Sequence, residues 1–88
     1  MLNLEEFKKR VSMFDVISSG KVSYRITKVD DKRVYYNRLD AASPKSEENI
    51  EIAKLFEYYK GGIYSTTIAK RYGLGGKQSP STAILRNL

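Results

Sequence analysis

The sequence predicts a small α+β domain spanning residues 1–88: an N-terminal helix, an antiparallel β-hairpin that a short third strand can extend, and three C-terminal helices. Three observations carry this reading. Residues 22–27 alternate strictly between apolar (Val22, Tyr24, Ile26) and polar (Ser23, Arg25, Thr27) side chains, the two-residue period of a half-buried strand. Apolar residues on either side of that segment recur at helical spacing instead. The chain has 88 residues, enough for one core only, since a domain of this size buries about 60–65% of its unfolded surface.

The elements follow in order. Residues 3–14 read as a helix because Leu4, Phe7, Val11 and Phe14 fall on one face. Asn3 is placed as N-cap with Glu6 three residues on, a capping-box spacing, and Leu2 and Phe7 are placed for a hydrophobic staple. Val16 and Ile17, before Ser18–Ser19–Gly20, suit the short extra strand. Residues 21–29 and 33–39 form the hairpin around Asp30–Asp31–Lys32. Its register depends on the turn. An odd loop places Val34 and Tyr36 with Val22, Tyr24 and Ile26 on one apolar face, whereas an even loop brings Tyr35 and Leu39 there; the odd loop buries more apolar surface and is preferred.

Residues 40–46 (DAASPKS) read as a loop. Residues 47–60 read as the strongest helix, with Ser46 as N-cap, Glu47 and Glu48 in the first turn, a stripe of Ile50, Ala53, Leu55, Phe56 and Tyr59, and a C-cap at Gly61–Gly62. A short helix over Ser65–Tyr72 and a turn over Leu74–Gln78 follow. Ser79 as N-cap with Pro80 in the first helical position then starts the last helix.

Composition excludes several chemistries. Cysteine and histidine are both absent, which removes disulfides, thiolate metal sites, the usual acid–base group near neutral pH and the commonest metal ligand. Asp30 and Asp31 fall in a turn, and Glu47, Glu48 and Glu51 at a helix start or on its exposed face, where turn chemistry and the helix dipole account for them. The run Gly73–Lys77 (GLGGK) is preceded by a helix and followed by Gln78, whereas a phosphate-binding P-loop follows a strand and needs Ser or Thr after its lysine. The expectation is a non-enzymatic protein with no cofactor and no metal. No apolar run approaches 18 residues and no signal-peptide pattern is present, so a soluble, cytoplasmic protein without a membrane partner is expected.

Charge points further. The net charge is +6, and residues 63–88 contain four basic residues (Lys70, Arg71, Lys77, Arg86) and no acidic one. Such an excess attracts nucleic acid. Within this stretch Ala69 and Gly73 are four residues apart, among the apolar Ile68, Tyr72 and Leu74. Residues 50–88 thereby resemble the helix-turn-helix DNA-binding pattern. The resemblance implies that the last helix presents its N-terminal residues Gln78, Ser79, Ser81 and Thr82 to base edges, with Arg86 one turn on. It also implies that Lys70, Arg71 and Lys77 contact phosphates.

A second constellation is the polar face of the hairpin, where Arg25, Arg33, Tyr35 and Asn37 lie together, with Lys21 or Lys28 near the strand ends. Such faces bind single-stranded nucleic acid by pairing arginine with phosphate and stacking rings on bases. The leading expectation is a nucleic-acid-binding domain whose contacts are mainly to the phosphate backbone. The alternative is a protein-interaction module, for another protein or for itself as a dimer, built on Tyr58, Tyr59, Tyr64 and Tyr72.

Overall fold

The alternating segment becomes the second strand of a four-stranded antiparallel sheet. The computed structural model describes residues 1–20, 22–39 and 47–88. Helix α1 (Leu4–Ser12) leads into β1 (Val16–Ser19), β2 (Val22–Val29), β3 (Arg33–Arg38) and β4 (Glu48–Glu51), followed by α2 (Ile52–Gly61), α3 (Thr66–Arg71) and α4 (Gln78–Arg86). The strands are ordered β1-β2-β3-β4, a simple meander. The fold is α+β, with all helices outside the sheet and one core. Ile17, Tyr24, Ile26, Val34, Tyr36 and Ile50 form the sheet's inner face of that core, and Phe7, Val11, Leu55, Tyr58, Ala69 and Ile84 supply the helical side.

Helix α1 starts as the sequence predicts. The Asn3 side chain accepts the Glu6 amide at 2.9 Å, and the Asn3 amide donates to the Glu6 carboxylate at 3.5 Å, completing the capping box. The hairpin turn is organised by Asp30. Its carboxylate accepts the Lys32 and Arg33 amides at 2.8 and 2.7 Å, and these bonds hold its pKa below the usual carboxylate range.

The register of the hairpin is set inside the strand as well as at the turn. Val29 stands opposite Val34 and Lys28 opposite Tyr35, but Ile26 stands opposite Tyr36, so Thr27 is an extra residue, a β-bulge. Were Thr27 paired regularly instead of bulged, strict alternation would turn Lys28 inward and Val29 outward. With it, Ile26, Tyr36, Val34 and Val29 all pack on the core, and Lys28 joins Tyr35 on the outer face. The preferred apolar face is therefore realised, but not by the odd loop expected for it: the turn between Val29 and Val34 holds an even number of residues, and the bulge supplies the odd one.

Two element boundaries differ from expectation. The helix predicted over residues 47–60 starts only at Ile52, and Glu48–Glu51 forms the fourth strand. The reason is non-local: Ile50 pairs with Val34 and is fully buried, while Asn49 and Glu51 turn outward opposite Tyr35 and Arg33. The sheet also replaces the side-chain cap. The Ile52 amide donates to the Lys32 carbonyl at 2.8 Å, and Glu51 at the N-cap makes no side-chain bond. The predicted Ser46 cap and the whole predicted 40–46 loop lie outside the described residues. At its far end α2 closes as predicted, with Gly62 left-handed at φ 79°.

Helix α4 begins two residues before Pro80, so Ser79 lies inside the helix and Lys77, not the expected Ser79, is the N-cap, with no side-chain cap bond. Proline is tolerated at the third position because amides of the first turn lack intrahelical partners anyway. Residues Pro80 to Leu85 are all buried, which makes α4 the central helix rather than a surface one. The Tyr58 hydroxyl ties it in. It donates to the Ser65 carbonyl at 2.8 Å and so accepts from the Thr82 hydroxyl at 2.9 Å.

Two outcomes test this architecture. Tyr58→Phe leaves the Ser65 carbonyl and the Thr82 hydroxyl without their partner and lowers stability by about 1–3 kcal/mol, measured as a shift in urea midpoint at constant m. Because the folded Asp30 carboxyl has the lower pKa, its contribution to the turn is present above the unfolded carboxylate range. It disappears as pH falls through the folded value. Amide exchange at Lys32 and Arg33 should accelerate over that acidic window in the wild type, and Asp30→Asn should abolish the pH dependence.

Candidate nucleic-acid interface

Residues 63–88 separate into side chains that reach solvent and side chains that hold the fold. Lys70 and Arg71 end α3 and are exposed, near helix carbonyls that favour cations. Ser65 caps the other end of α3, accepting the Ile68 amide at 3.2 Å. Ala69 is fully buried where α3 packs on α4, and Gly73 turns the chain at φ 77°. Lys77 is half-buried at the α4 N-cap. Lys70, Arg71 and Lys77 form no ion pair among the described residues. By contrast, Lys8, Arg25, Lys54 and Lys60 each lie within 4.0 Å of a carboxylate.

The other expected contacts from this stretch are structural. Ser81 and Thr82 are 0% and 1% exposed. The Ser81 hydroxyl donates to the Lys77 carbonyl at 2.7 Å, and Thr82 bonds Tyr58. Neither can reach a base edge, which corrects their expected role. The signal for burial was the run Pro80–Leu85, where two small polar residues adjoin Ala83, Ile84 and Leu85. Arg86 is exposed but its guanidinium donates twice to the Tyr64 carbonyl, from Nε at 3.1 Å and from Nη2 at 2.8 Å, which commits it to the loop between α2 and α3. Ser79 accepts the Tyr24 hydroxyl at 3.1 Å. Gln78 is half-buried, and its Oε1 is enclosed without a hydrogen-bond partner among the described residues. It lines a cleft of about 250 Å³ with Arg38, Glu48 and Tyr36.

The outer face of the sheet is a second surface. The core lies on one side, and on the other no residue is buried among Ser23, Arg25 and Lys28 of β2, Arg33, Tyr35 and Asn37 of β3, and Asn49 of β4. Tyr35 sits at its centre, between Lys28 and Asn49 on the neighbouring strands. The Lys28 ammonium lies 5.6 Å from the Tyr35 ring centroid. Arg33 donates to Asn49 Oδ1 at 2.9 Å, and Arg25 Nε lies 3.6 Å from Asp15. Arg25, Arg33, Tyr35 and Asn37 thus share a face as predicted. Lys28, expected near the strand end, joins them because the bulge turns it outward. Asn49 is an addition, since it belongs to the strand that sequence periodicity assigned to a helix. Lys21 lies outside the described residues.

The tyrosines of the alternative reading are bonded internally. Tyr58 is fully buried. The Tyr59 hydroxyl accepts the Leu2 amide at 2.8 Å, Tyr64 donates to the Tyr59 carbonyl at 2.9 Å, and Tyr72 stacks on Tyr58 at 5.5 Å. Burial pushes up the hydroxyl pKa of Tyr36 and of Tyr64. Among the described residues no three His, Cys, Asp or Glu side chains converge to hold a metal ion, and no helix is long and apolar enough to cross a membrane.

If Arg86 is structural, Arg86→Ala lowers stability by about 1 kcal/mol, a charged hydrogen bond discounted for exposure, and thermal unfolding at constant pH measures it. No family model matches this chain, and no curated protein or solved structure is significantly similar to it, so the reading of function rests on the chemistry of these two surfaces.

Proposed function

We propose that this protein is a small, non-enzymatic nucleic-acid-binding domain that holds its ligand mainly by the phosphate backbone. The observation that carries the reading is the uncompensated charge at the end of α3 and the turn after it. Lys70, Arg71 and Lys77 lie in an acid-free stretch and form no ion pair among the described residues, in a chain of net charge +6. Cations without local carboxylates sustain a positive potential that concentrates polyanions, and phosphate contacts gain further from counterion release. Arg25 and Arg33 on the outer sheet face add a second set of donors suited to phosphate oxygens. With Ser81 and Thr82 inside the core, the last helix has little to offer base edges, which favours backbone contacts over sequence readout.

The test is fluorescence anisotropy with end-labelled duplex DNA, single-stranded DNA and RNA between about 50 and 200 mM salt. Affinity should fall linearly on a log–log plot, with a slope of about 2–3 if three phosphates are neutralised. Lys70→Glu combined with Arg71→Glu should weaken binding at least about tenfold at low salt and flatten the slope, with an unchanged circular dichroism spectrum. Absence of binding to all three polymers at the lowest salt would overturn the reading.

A further inference from the structure

We infer that the outer sheet face is a stacking platform for a single-stranded polynucleotide, with Tyr35 as the base-contacting residue. The inference rests on the nucleic-acid reading above and names the form of nucleic acid it concerns. Tyr35 lies on β3, an interior strand, so strands flank it on both sides. It is half-exposed, as a platform residue must be. Around it the same face carries Lys28 and Asn49 directly across, with Arg33 and Asn37 two residues away along β3. Residues two apart on a strand are separated by about 7 Å, and neighbouring strands by about 4.8 Å. Cations and amides thus stand close to the ring, with the Asp30 carboxylate, which the Tyr35 side chain hydrogen-bonds, and Glu51 opposite Arg33 at the margin.

The charge on this face suits a polyanion. Lys28 and Arg33 form no ion pair among the described residues, and Arg25 pairs only with Asp15, at 3.6 Å and with the Asp15 side chain largely exposed. Exposed pairs of this kind are weak, so a phosphate can take the place of Asp15. Lys28 already lies over the tyrosine ring. A base arriving on that ring displaces a flexible lysine whose ammonium then has the adjoining phosphate as its partner. Only a single strand can use the ring: base faces are hidden in a duplex and free in an unpaired strand, where stacking is tolerant of sequence. Asn37 and Asn49 offer amide donors and acceptors to the edge of the stacked base or to its sugar.

The decisive comparison uses uridine and thymidine homopolymers and a mixed-sequence duplex against wild type, Tyr35→Ala, Tyr35→Phe and Tyr35→Trp. Tyr35→Ala should weaken homopolymer binding roughly tenfold and leave duplex binding unchanged, while Tyr35→Phe retains wild-type affinity. The chain has no tryptophan, so Tyr35→Trp supplies a single indole whose emission should be quenched by the homopolymers and not by the duplex. These responses with either homopolymer support the platform. If Tyr35→Ala alters neither ligand and the indole is unquenched, while the Lys70 and Arg71 charge reversals abolish binding, the platform is wrong and the phosphate site stands. If no polymer binds the wild type at low salt, both readings fall.

Discussion

Inside the core the Tyr58 hydroxyl holds together three parts of the chain: α2, which carries it, the entry to α3 through the Ser65 carbonyl, and α4 through Thr82. Ser81 and Thr82 are the buried polar residues of a core otherwise built from apolar and aromatic side chains. A buried hydroxyl left unpaired there would be costly. The pairing therefore fixes how far α4 is inserted and how it is rotated. Every other contact of α4, with α3 and with β1, assumes that placement. The central position of α4 in turn gathers the helices on one side of the sheet and leaves the other side open.

The exposed surfaces follow from that arrangement. On the inner side the sheet needs Tyr24, Ile26, Val34, Tyr36 and Ile50 to meet the helices, so the intervening residues face water, by alternation and, for Lys28, by the bulge at Thr27. Those residues are arginine, lysine, tyrosine and asparagine in the middle of the sheet, with carboxylates toward its margins. At the end of α3 the same demand for burial takes Ala69 and Leu74 inward and leaves Lys70 and Arg71 out. Charge accumulates at two places that the core does not claim.

Much of this was legible in the sequence where the determinants are local. The Asn3–Glu6 capping box, the Val16–Ile17 strand and the alternation of β2 are each decided within a few residues, and they appear as read. What was not legible depends on partners distant in the chain. Ile50 belongs to a strand only because Val34 is there to pair with it. Its spacing from Ala53 and Phe56 fits a helix equally well. Ser81 and Thr82 look like surface residues one at a time, and only the packing of α4 on all sides makes them interior. The surface of Lys70, Arg71, Arg25, Arg33 and Tyr35 was anticipated, because charge and alternation are properties of the sequence itself. The commitment of Arg86 to the Tyr64 carbonyl was not, because no spacing rule links residues so far apart.

The extra residue at Thr27 has a consequence for how the hairpin can vary. Upstream of it, inward positions follow one parity of residue number, and downstream the other. Substituting Thr27 alters one exposed side chain that bonds Glu47. Deleting it would remove the bulge and leave Ile26, Lys28 and Val29 in unbroken alternation opposite Tyr36, Tyr35 and Val34, each on the face it already occupies. This part of the chain can therefore lose its extra residue without moving a side chain between water and core, whereas the loss or gain of a paired residue elsewhere in β2 would exchange the two faces.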